Sequence, residues 1–210
     1  MPILPAPIGD NPFKSQESRV AERARKREAV LTAAVRMFNE RGFHAASLDD
    51  VAATLGISKP TIYHYLGNKE QVLLECVARG LEQLNNAVID ARRSPGSGLD
   101  RLVGFLCRYA QVTMEDFGRC VIRTGEELLS AEGAALFRSG KSAIDQAMRA
   151  LIADGIADGS IAPRDVKIMA FTLAGALNWP ARWHDPAGPL DAQTAAKLIV
   201  DELVAGLAPR

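Results

Sequence analysis

The chain has 210 residues, of which 48% are hydrophobic and 24% are charged, and its formal net charge is zero. This composition excludes a disordered or strongly polyionic chain and is ordinary for a globular protein. Cysteine spacing excludes a disulfide framework or a zinc ribbon and favours a reducing compartment, so we expect a cytoplasmic protein. The longest uncharged stretch in the second half, residues 168–181, is shorter than the roughly 18 residues of a membrane span, so no membrane partner is expected.

The first segment of the chain shows no regular spacing of hydrophobic residues. Residues 1–18 are rich in proline and polar residues and predict a flexible N-terminal tail. From Arg19 onward apolar residues recur at helical spacing, after strongly basic leading turns, and Gly42 is placed to end this helix. No strand-like alternation of useful length follows, so the sequence predicts an all-α fold.

Two short helices with their own capping residues come next. Ser47 and Asp50 match a capping box at the start of a helix over 47–55, which Gly56 is placed to end. Ser58 is placed to cap a second helix over 59–66, with Pro60 in its first turn. Two capped helices joined by a short turn containing glycine predict a helix-turn-helix unit.

The second helix divides into an inward and an outward face. Its apolar spacing directs Ile62, Tyr65 and Leu66 inward. The outward side chains are Lys59, Pro60, Thr61, Tyr63 and His64. The lysine, threonine, tyrosine and histidine among them supply donors that suit phosphates and base edges in a DNA groove, although the same spacing also fits a capped hairpin whose polar side chains face water. Asn68 is placed to cap a third helix, whose N-terminus and Lys69 could receive an anion.

The stretch from Arg23 to Val72 closely resembles the DNA-binding domain of the tetracycline-repressor-like (TetR) family. An aromatic residue after "RG", here Phe43, and the small residue Ser47 fit the pattern of that family. The motif "GxSKxTxYxYFxxKExL" is matched by Gly56, Ser58, Lys59, Thr61, Tyr63, Tyr65, Lys69 and Glu70. Leu66 replaces the usual phenylalanine at a core position, which concerns packing rather than DNA contact.

The resemblance implies a three-helix DNA-binding domain over 19–68 and a helical domain for effector binding and dimerisation over 69–210. It implies that Ser47, Thr61, Tyr63 and Lys69 hold phosphates, whereas Lys59, Pro60 and His64 lie nearest the base edges of a palindromic operator. The expected DNA-binding residues are therefore Ser47, Ser58, Lys59, Pro60, Thr61, Tyr63, His64 and Lys69. The basic turns at 23–27 offer a further groove or backbone contact, with a solvated helix face as the alternative.

The second part of the chain predicts further helices. They are expected at 69–93, 99–116, 119–130, 132–158, 164–184 and 191–207. The last two are apolar on more than one face. The resemblance implies that they form a four-helix bundle with a second copy of the chain, while a large monomeric core is the alternative.

Two groups of residues are candidates for an effector site. The segment "ALNWPARWHDPAGPL" is similar to one in family members that respond to acyl-coenzyme A thioesters, and it contributes Trp179, Arg182 and Trp183. Phe105, Arg108 and Tyr109 on the helix over 99–116 are a second candidate group. The alternative for the tryptophans is a role as core or interface anchors, which is the more common one, and the alternative for the second group is an ordinary core.

The sequence therefore predicts a dimeric transcriptional repressor that a small hydrophobic or acyl-CoA-type effector releases from its operator. The alternatives are an activator of the same family, or a small-molecule-binding helical protein that no longer binds DNA. No enzyme is expected, because the three histidines are dispersed and the chain lacks the common hydrolase, metalloprotease and phosphate-loop motifs. No cofactor and no metal site are expected either.

Overall fold

The computed structural model describes residues 16–205 and residue 207, and within them the chain forms ten α-helices and one short 3-10 helix without any β-strand. The predicted all-α fold is confirmed. The first helix begins at Gln16, three residues before the predicted start, and the rest of the predicted tail lies outside the described residues. No helix in the described part of the chain is long and apolar enough to cross a membrane.

Three helices form the N-terminal head of the molecule. They are α1 (Gln16–Arg41), α2 (Leu48–Leu55) and α3 (Lys59–Leu66). Ser47 accepts a hydrogen bond from the Asp50 amide, and Ser58 accepts one from the Thr61 amide, as the cap assignments predict. Gly56 ends α2 in the left-handed conformation that glycine adopts without a steric cost.

Seven further α-helices form the body behind the head. They are α4 (Lys69–Arg93), α5 (Gly98–Met114), α6 (Asp116–Thr124), α7 (Ala131–Ala157), α8 (Val166–Asn178), α9 (Pro180–Trp183) and α10 (Ala192–Val204). The predicted helix over 119–130 is wrong at both ends. It begins earlier, at Asp116, and it ends at Thr124, because Gly125 has a φ of 86° and a 3-10 turn follows it. The predicted helix over 164–184 is broken at Trp179, since Pro180 cannot donate to the preceding turn.

Two hydrophobic cores lie along the molecule, and α4 belongs to both. The first core unites α1–α3 with Val72, Leu73 and Cys76 of α4 and with Cys120 of α6. The second core joins the later turns of α4 to α5, α7, α8 and α10. The head is therefore packed onto the body through α4 and α6, rather than attached by a flexible linker. The domain boundary between residues 68 and 69 stays a prediction.

An ion network of four side chains fixes α1 against α4. Arg27 donates to both carboxylate oxygens of Glu75, and Arg79 donates to Glu28 at 2.6 and 2.7 Å and to Glu75 at 2.8 Å. The Arg79 guanidinium also lies 4.5 Å from the ring centroid of Phe117 on α6. The hydrogen bonds from Arg27, which have the larger effect, and from Arg79 hold the pKa of Glu75 below its ordinary value. Partial burial acts in the opposite direction.

Helices α8 and α10 leave apolar side chains on the outside of the body. Ile168, Trp179 and Leu198 are 61%, 63% and 54% exposed and define what we call the outer face. The opposite stripe of α8 is buried in the second core through Met169, Leu173 and other residues. One molecule thus covers only one side of these helices, as their all-round apolar sequence predicts.

Candidate DNA interface and effector cavity

Helix α3 presents the predicted polar face to solvent. Ile62 and Leu66 are buried in the first core, whereas Lys59, Pro60 and His64 are exposed. Tyr63 is 48% exposed although it is a large aromatic side chain. The outward side of α3 therefore faces solvent.

The hydroxyl groups at the N-termini of α2 and α3 have O–H donors that are free to bind a partner. The Ser47 oxygen accepts the Asp50 amide at 3.1 Å, so its own O–H is left to donate. The hydroxyls of Ser58 and Thr61 are 2.8 Å apart, so one donates to the other and the second O–H remains available. These three positions suit phosphate oxygens, which accept hydrogen bonds only.

Lys59 is engaged by a carboxylate of the preceding helix. Its ammonium lies 2.8 Å from Asp49, which lowers the pKa of the Asp49 carboxyl and raises the pKa of Lys59. Any DNA group that binds Lys59 must therefore compete with Asp49. His64 is engaged too, since its Nε2 lies 3.0 Å from the Arg23 guanidinium of α1.

Lys69 faces the protein rather than open solvent. Its ammonium donates to the carbonyl of Ala46 at 2.7 Å and to the carbonyl of Phe43, and it lies 4.5 Å from the Phe43 ring centroid. Burial lowers the pKa of this ammonium. Two of its three hydrogens thus tie the start of α4 to the loop between α1 and α2. The phosphate contact of Lys69 stays a prediction and would have to use the third hydrogen.

A cavity of about 180 Å³ lies in the body among α4, α5, α6, α7 and α8. Its wall is mostly apolar. Among its few polar groups, the Tyr109 hydroxyl donates to the Asn178 side chain at 3.2 Å. The lining residues are Val77, Gly80, Leu81, Leu84, Tyr109, Val112, Thr113, Gly118, Val121, Ile122, Phe137, Lys141, Ile144, Asp145, Met148, Phe171, Ala174 and Asn178.

The six predicted effector residues do not form one site. Only Tyr109 lines the cavity, and Phe105 is buried behind it, with the two ring centroids 5.9 Å apart. Arg108 pairs with Glu115 at 2.6 Å. Trp179, Arg182 and Trp183 are exposed and lie outside the cavity wall.

The mouth of the cavity carries positive charge that sequence reasoning missed. Lys141 and Phe171 line the cavity and are also exposed, so they mark its opening to solvent. The Arg149 guanidinium lies 5.2 Å and the Lys167 ammonium 6.0 Å from the Phe171 ring centroid. Asp145 pairs with Arg149 at 2.7 Å. We call Lys141, Arg149, Lys167 and Phe171 the cationic mouth.

A capped, solvent-facing α3 on a small head, fixed to a helical body that contains a cavity, defines a helix-turn-helix DNA-binding protein with a ligand domain. Residues 30–76 match the family of bacterial regulatory proteins described as the tetR family. Residues 95–207 match the tetracyclin repressor-like C-terminal domain. The chain belongs to the TetR family, as the resemblance of its head predicts.

Individual relatives agree with this assignment. The chain is 26% identical over 190 residues to the HTH-type transcriptional repressor KstR2 of Mycolicibacterium smegmatis, which covers 88% of this chain and 91% of the relative. The structure of the ketosteroid transcriptional regulator KstR2 of Mycobacterium tuberculosis superposes with a TM-score of 0.80 at 23% identity, over 88% of this chain and 96% of that one. The crystal structure of AibR in complex with isovaleryl coenzyme A and operator DNA superposes with a TM-score of 0.70 at 22% identity. The match covers 84% of this chain and 97% of AibR.

At these identities the two solved structures establish the fold alone. The family assignment and the named relatives confirm the prediction of a transcriptional regulator rather than an enzyme.

Proposed function

We propose that the protein is a homodimeric, cytoplasmic transcriptional repressor that leaves its operator when an acyl-coenzyme A thioester binds. The observation that carries the proposal is an apolar cavity with Lys141 in its wall and with Arg149 and Lys167 beside Phe171, which also lines it. Asp145 lines the cavity too and pairs with Arg149, so Lys141 and Lys167 supply the unpaired positive charge among these four residues. An effector that fits both parts has an apolar tail and an anionic carrier.

The cavity limits the size and polarity of the tail. A cavity of about 180 Å³ is slightly larger than the ~150 Å³ apolar cavity that admits benzene in an engineered protein. Its walls offer few hydrogen-bonding groups, and the Tyr109 hydroxyl already donates to Asn178. A short or branched acyl group fits these walls, whereas a phosphate inside them would be costly to desolvate.

The cationic mouth gives the carrier a place outside the cavity. Arg149 presents a planar guanidinium suited to phosphate oxygens, and Lys141 and Lys167 add ammonium groups. The Arg149 guanidinium already pairs with Asp145 at 2.7 Å, so a phosphate would share it with this carboxylate. Trp183 stays a proposed contact for an adenine ring, since it is exposed on α9 and indole rings stack on flat bases. The effector contact predicted for Trp179 competes with its place in the dimer interface proposed below.

Dimerisation through the outer face would place two heads on one operator. Ile168, Trp179 and Leu198 would be covered by the same residues of a second copy, which is the self-complementary arrangement of a two-fold interface. Two helix-turn-helix heads bind half-sites about 34 Å apart, so an effector that changes their separation would release the DNA. The eight DNA-binding residues predicted from the sequence are part of this proposal.

The test measures operator binding in the presence of matched effectors. A labelled fragment from upstream of the gene is titrated with the dimer, and then short acyl-CoA thioesters, free coenzyme A and the free acids are added separately. We expect a thioester to release DNA at a concentration roughly tenfold or more below that needed for free coenzyme A or for the free acid. The reason is that only the thioester occupies the cavity and the cationic mouth together.

The variant Lys141→Glu is expected to weaken the response to thioesters without changing operator binding, since it lies at the mouth and not on the head. A neutral steroid ketone that releases DNA equally well from both proteins would contradict the proposal. Expression of a reporter gene behind the same fragment, in cells with and without the protein, separates repression from activation.

A further inference from the structure

We propose that Arg23 is a positioning residue that sets the base preference of α3 by fixing the tautomer of His64. The inference rests on the proposed DNA-binding function and adds a residue of α1 to the specificity of the recognition helix. It assigns the Arg23 guanidinium to His64 and not, in the first place, to a phosphate.

The contact joins two helices that are distant in sequence. Nη2 of Arg23 lies 3.0 Å from Nε2 of His64, 41 residues further along the chain. One turn after Arg23, Arg27 is bonded to Glu75 of α4, which holds this part of α1 in place. The ring centroids of His64 and Tyr65 are 5.6 Å apart at an interplanar angle of 62°, so a neighbouring ring also restricts the imidazole.

Hydrogen-bond chemistry assigns the proton of His64. A guanidinium has five N–H donors and no acceptor, so a bond from Arg23 requires a lone pair on Nε2. The imidazole is then neutral and carries its hydrogen on Nδ1. The second hydrogen bond that His64 can make is therefore one in which Nδ1–H donates.

This assignment restricts the bases that His64 can contact. In the major groove the acceptors are N7 and O6 of guanine, N7 of adenine and O4 of thymine, whereas cytosine presents an amino donor. With Arg23 in place, His64 is matched to acceptors and mismatched to amino groups. Without Arg23 the ring can adopt either tautomer, so it can accept from an amino group as well, and the preference at that base pair relaxes.

The experiment compares Arg23→Ala, Arg25→Ala, His64→Ala and the double variant Arg23→Ala/His64→Ala as full-length dimers. Arg25 is the matched control, because it is exposed two residues further along α1 and its removal deletes the same charge. Nitrogen-15 spectra of labelled histidine report the tautomer of His64 in the free protein. Selection from randomised operator libraries, followed by titration of single-base operator variants, reports base preference.

We expect the Nδ1–H form of His64 in the wild type and a mixture of tautomers in Arg23→Ala. Discrimination at one base pair in each half-site should fall about threefold to tenfold in Arg23→Ala and by the same factor in His64→Ala. The double variant should lose no more discrimination than either single variant, and Arg25→Ala should keep the base preference and the tautomer.

Two outcomes would overturn the inference. Uniform weakening on all sequences by Arg23→Ala, matching Arg25→Ala, would make Arg23 a phosphate contact only. An Nε2–H tautomer of His64 in the wild type would remove its chemical basis. A wild-type dimer that selects no sequence would overturn the proposed function itself, and the tautomer spectra of the free protein would still show separately whether Arg23 controls His64.

Discussion

Among single residues, Lys69 shows how the same side chain fits two different roles. Its match to the family motif implies a phosphate contact, whereas its ammonium lies on the carbonyls of Phe43 and Ala46. Carbonyl oxygens at the end of a loop need donors when they are shielded from water. Lys69 provides them and so links the start of α4 to the loop that precedes α2.

We expect Lys69→Met to destabilise the protein by about 1–3 kcal/mol, because two charge-assisted hydrogen bonds are lost while the side-chain volume is kept. Urea unfolding followed by circular dichroism measures this loss.

Lys59→Met is the matched control on the same head. Lys59 is exposed and pairs with Asp49 on the surface, so its loss should change the urea midpoint little while weakening DNA binding. A Lys69→Met variant with a wild-type urea midpoint and weakened DNA binding would reverse our assignment and restore the phosphate role.

The sequence predicted residue-level features only where the partner lies nearby in the chain. Ser47, Ser58 and Asn68 each bond the backbone three residues ahead, a pattern that is visible without a structure. The bonds of His64 to Arg23 and of Lys69 to Phe43 span 41 and 26 residues. Such pairs depend on how helices are arranged, which periodicity does not encode.

Between elements, the crossing of α5 and α7 depends on the absence of a side chain. A Cβ at Gly98 would lie 2.3 Å from the Gly155 Cα, which is closer than atoms can approach. The Gly98 amide also donates to Asp158 at 2.6 Å and fixes the start of α5. The two helices therefore meet backbone to backbone at this point.

We expect Gly98→Ala to lower the free energy of unfolding by about 1–3 kcal/mol, since α5 and α7 must move apart. Gly104→Ala, in the exposed middle of the same helix, meets nothing within 4 Å and should raise stability by about 0.5–1 kcal/mol. Urea unfolding of both variants measures the difference, and shifts in the same direction would contradict the close approach.

The ion network between α1 and α4 predicts a specific acid sensitivity. The pKa of Glu75 is lower in the folded state than in the unfolded chain. The Glu75 carboxylate therefore contributes its full stabilisation above its ordinary pKa of about 4.3. This stabilisation is lost as the pH falls through the lower pKa of the folded state. We expect Glu75→Gln to cost about 1–2 kcal/mol at neutral pH. Its stability should then fall less steeply than that of the wild type between about pH 5 and pH 3.

Urea midpoints measured across this pH range test the prediction, with Glu40→Gln as a control at an exposed position on α1. Parallel acid profiles of wild type and Glu75→Gln would show that the network does not stabilise the junction.

Helix boundaries were predictable where one local signal decided them. Gly56 ended α2 as its sequence context indicates. The breaks at Trp179 and Gly125 were missed, because a continuous apolar run on either side of Pro180 reads as one helix. At Gly125 the break was missed because the glycine was read as part of the helix, although its φ of 86° ends α6.

In the whole molecule, the outer face predicts how the chain assembles. Leu198 is an apolar side chain that is 54% exposed on α10. We expect Leu198→Asp to be monomeric at micromolar concentration, because two aspartates would face each other across a two-fold axis. Its affinity for a palindromic operator should fall roughly tenfold or more, since the two heads no longer bind as one unit.

Sedimentation velocity measures the mass, with Leu136→Asp as the control. Leu136 is 53% exposed on α7 and does not belong to the outer face, so this variant should remain a dimer. A dimeric Leu198→Asp would place the assembly surface elsewhere.

The proposed effector site was the least predictable part of the molecule. A residue that lines a cavity and a residue that fills a core have the same apolar character and the same helical spacing. Phe105 and Tyr109 illustrate this, since they lie one turn apart on α5 and only Tyr109 reaches the cavity. Five helices form the wall together, so the empty volume is a property of their packing and not of any one of them.

Because α4 belongs to both cores, the head is not expected to fold when it is expressed without the body. A fragment that stops at residue 68 would leave behind Val72, Leu73 and Cys76 and the distant Cys120, and their partners in α1–α3 would face water. Such a truncated head would tend to aggregate instead of binding DNA, and heating the intact chain should give one calorimetric peak for head and body together.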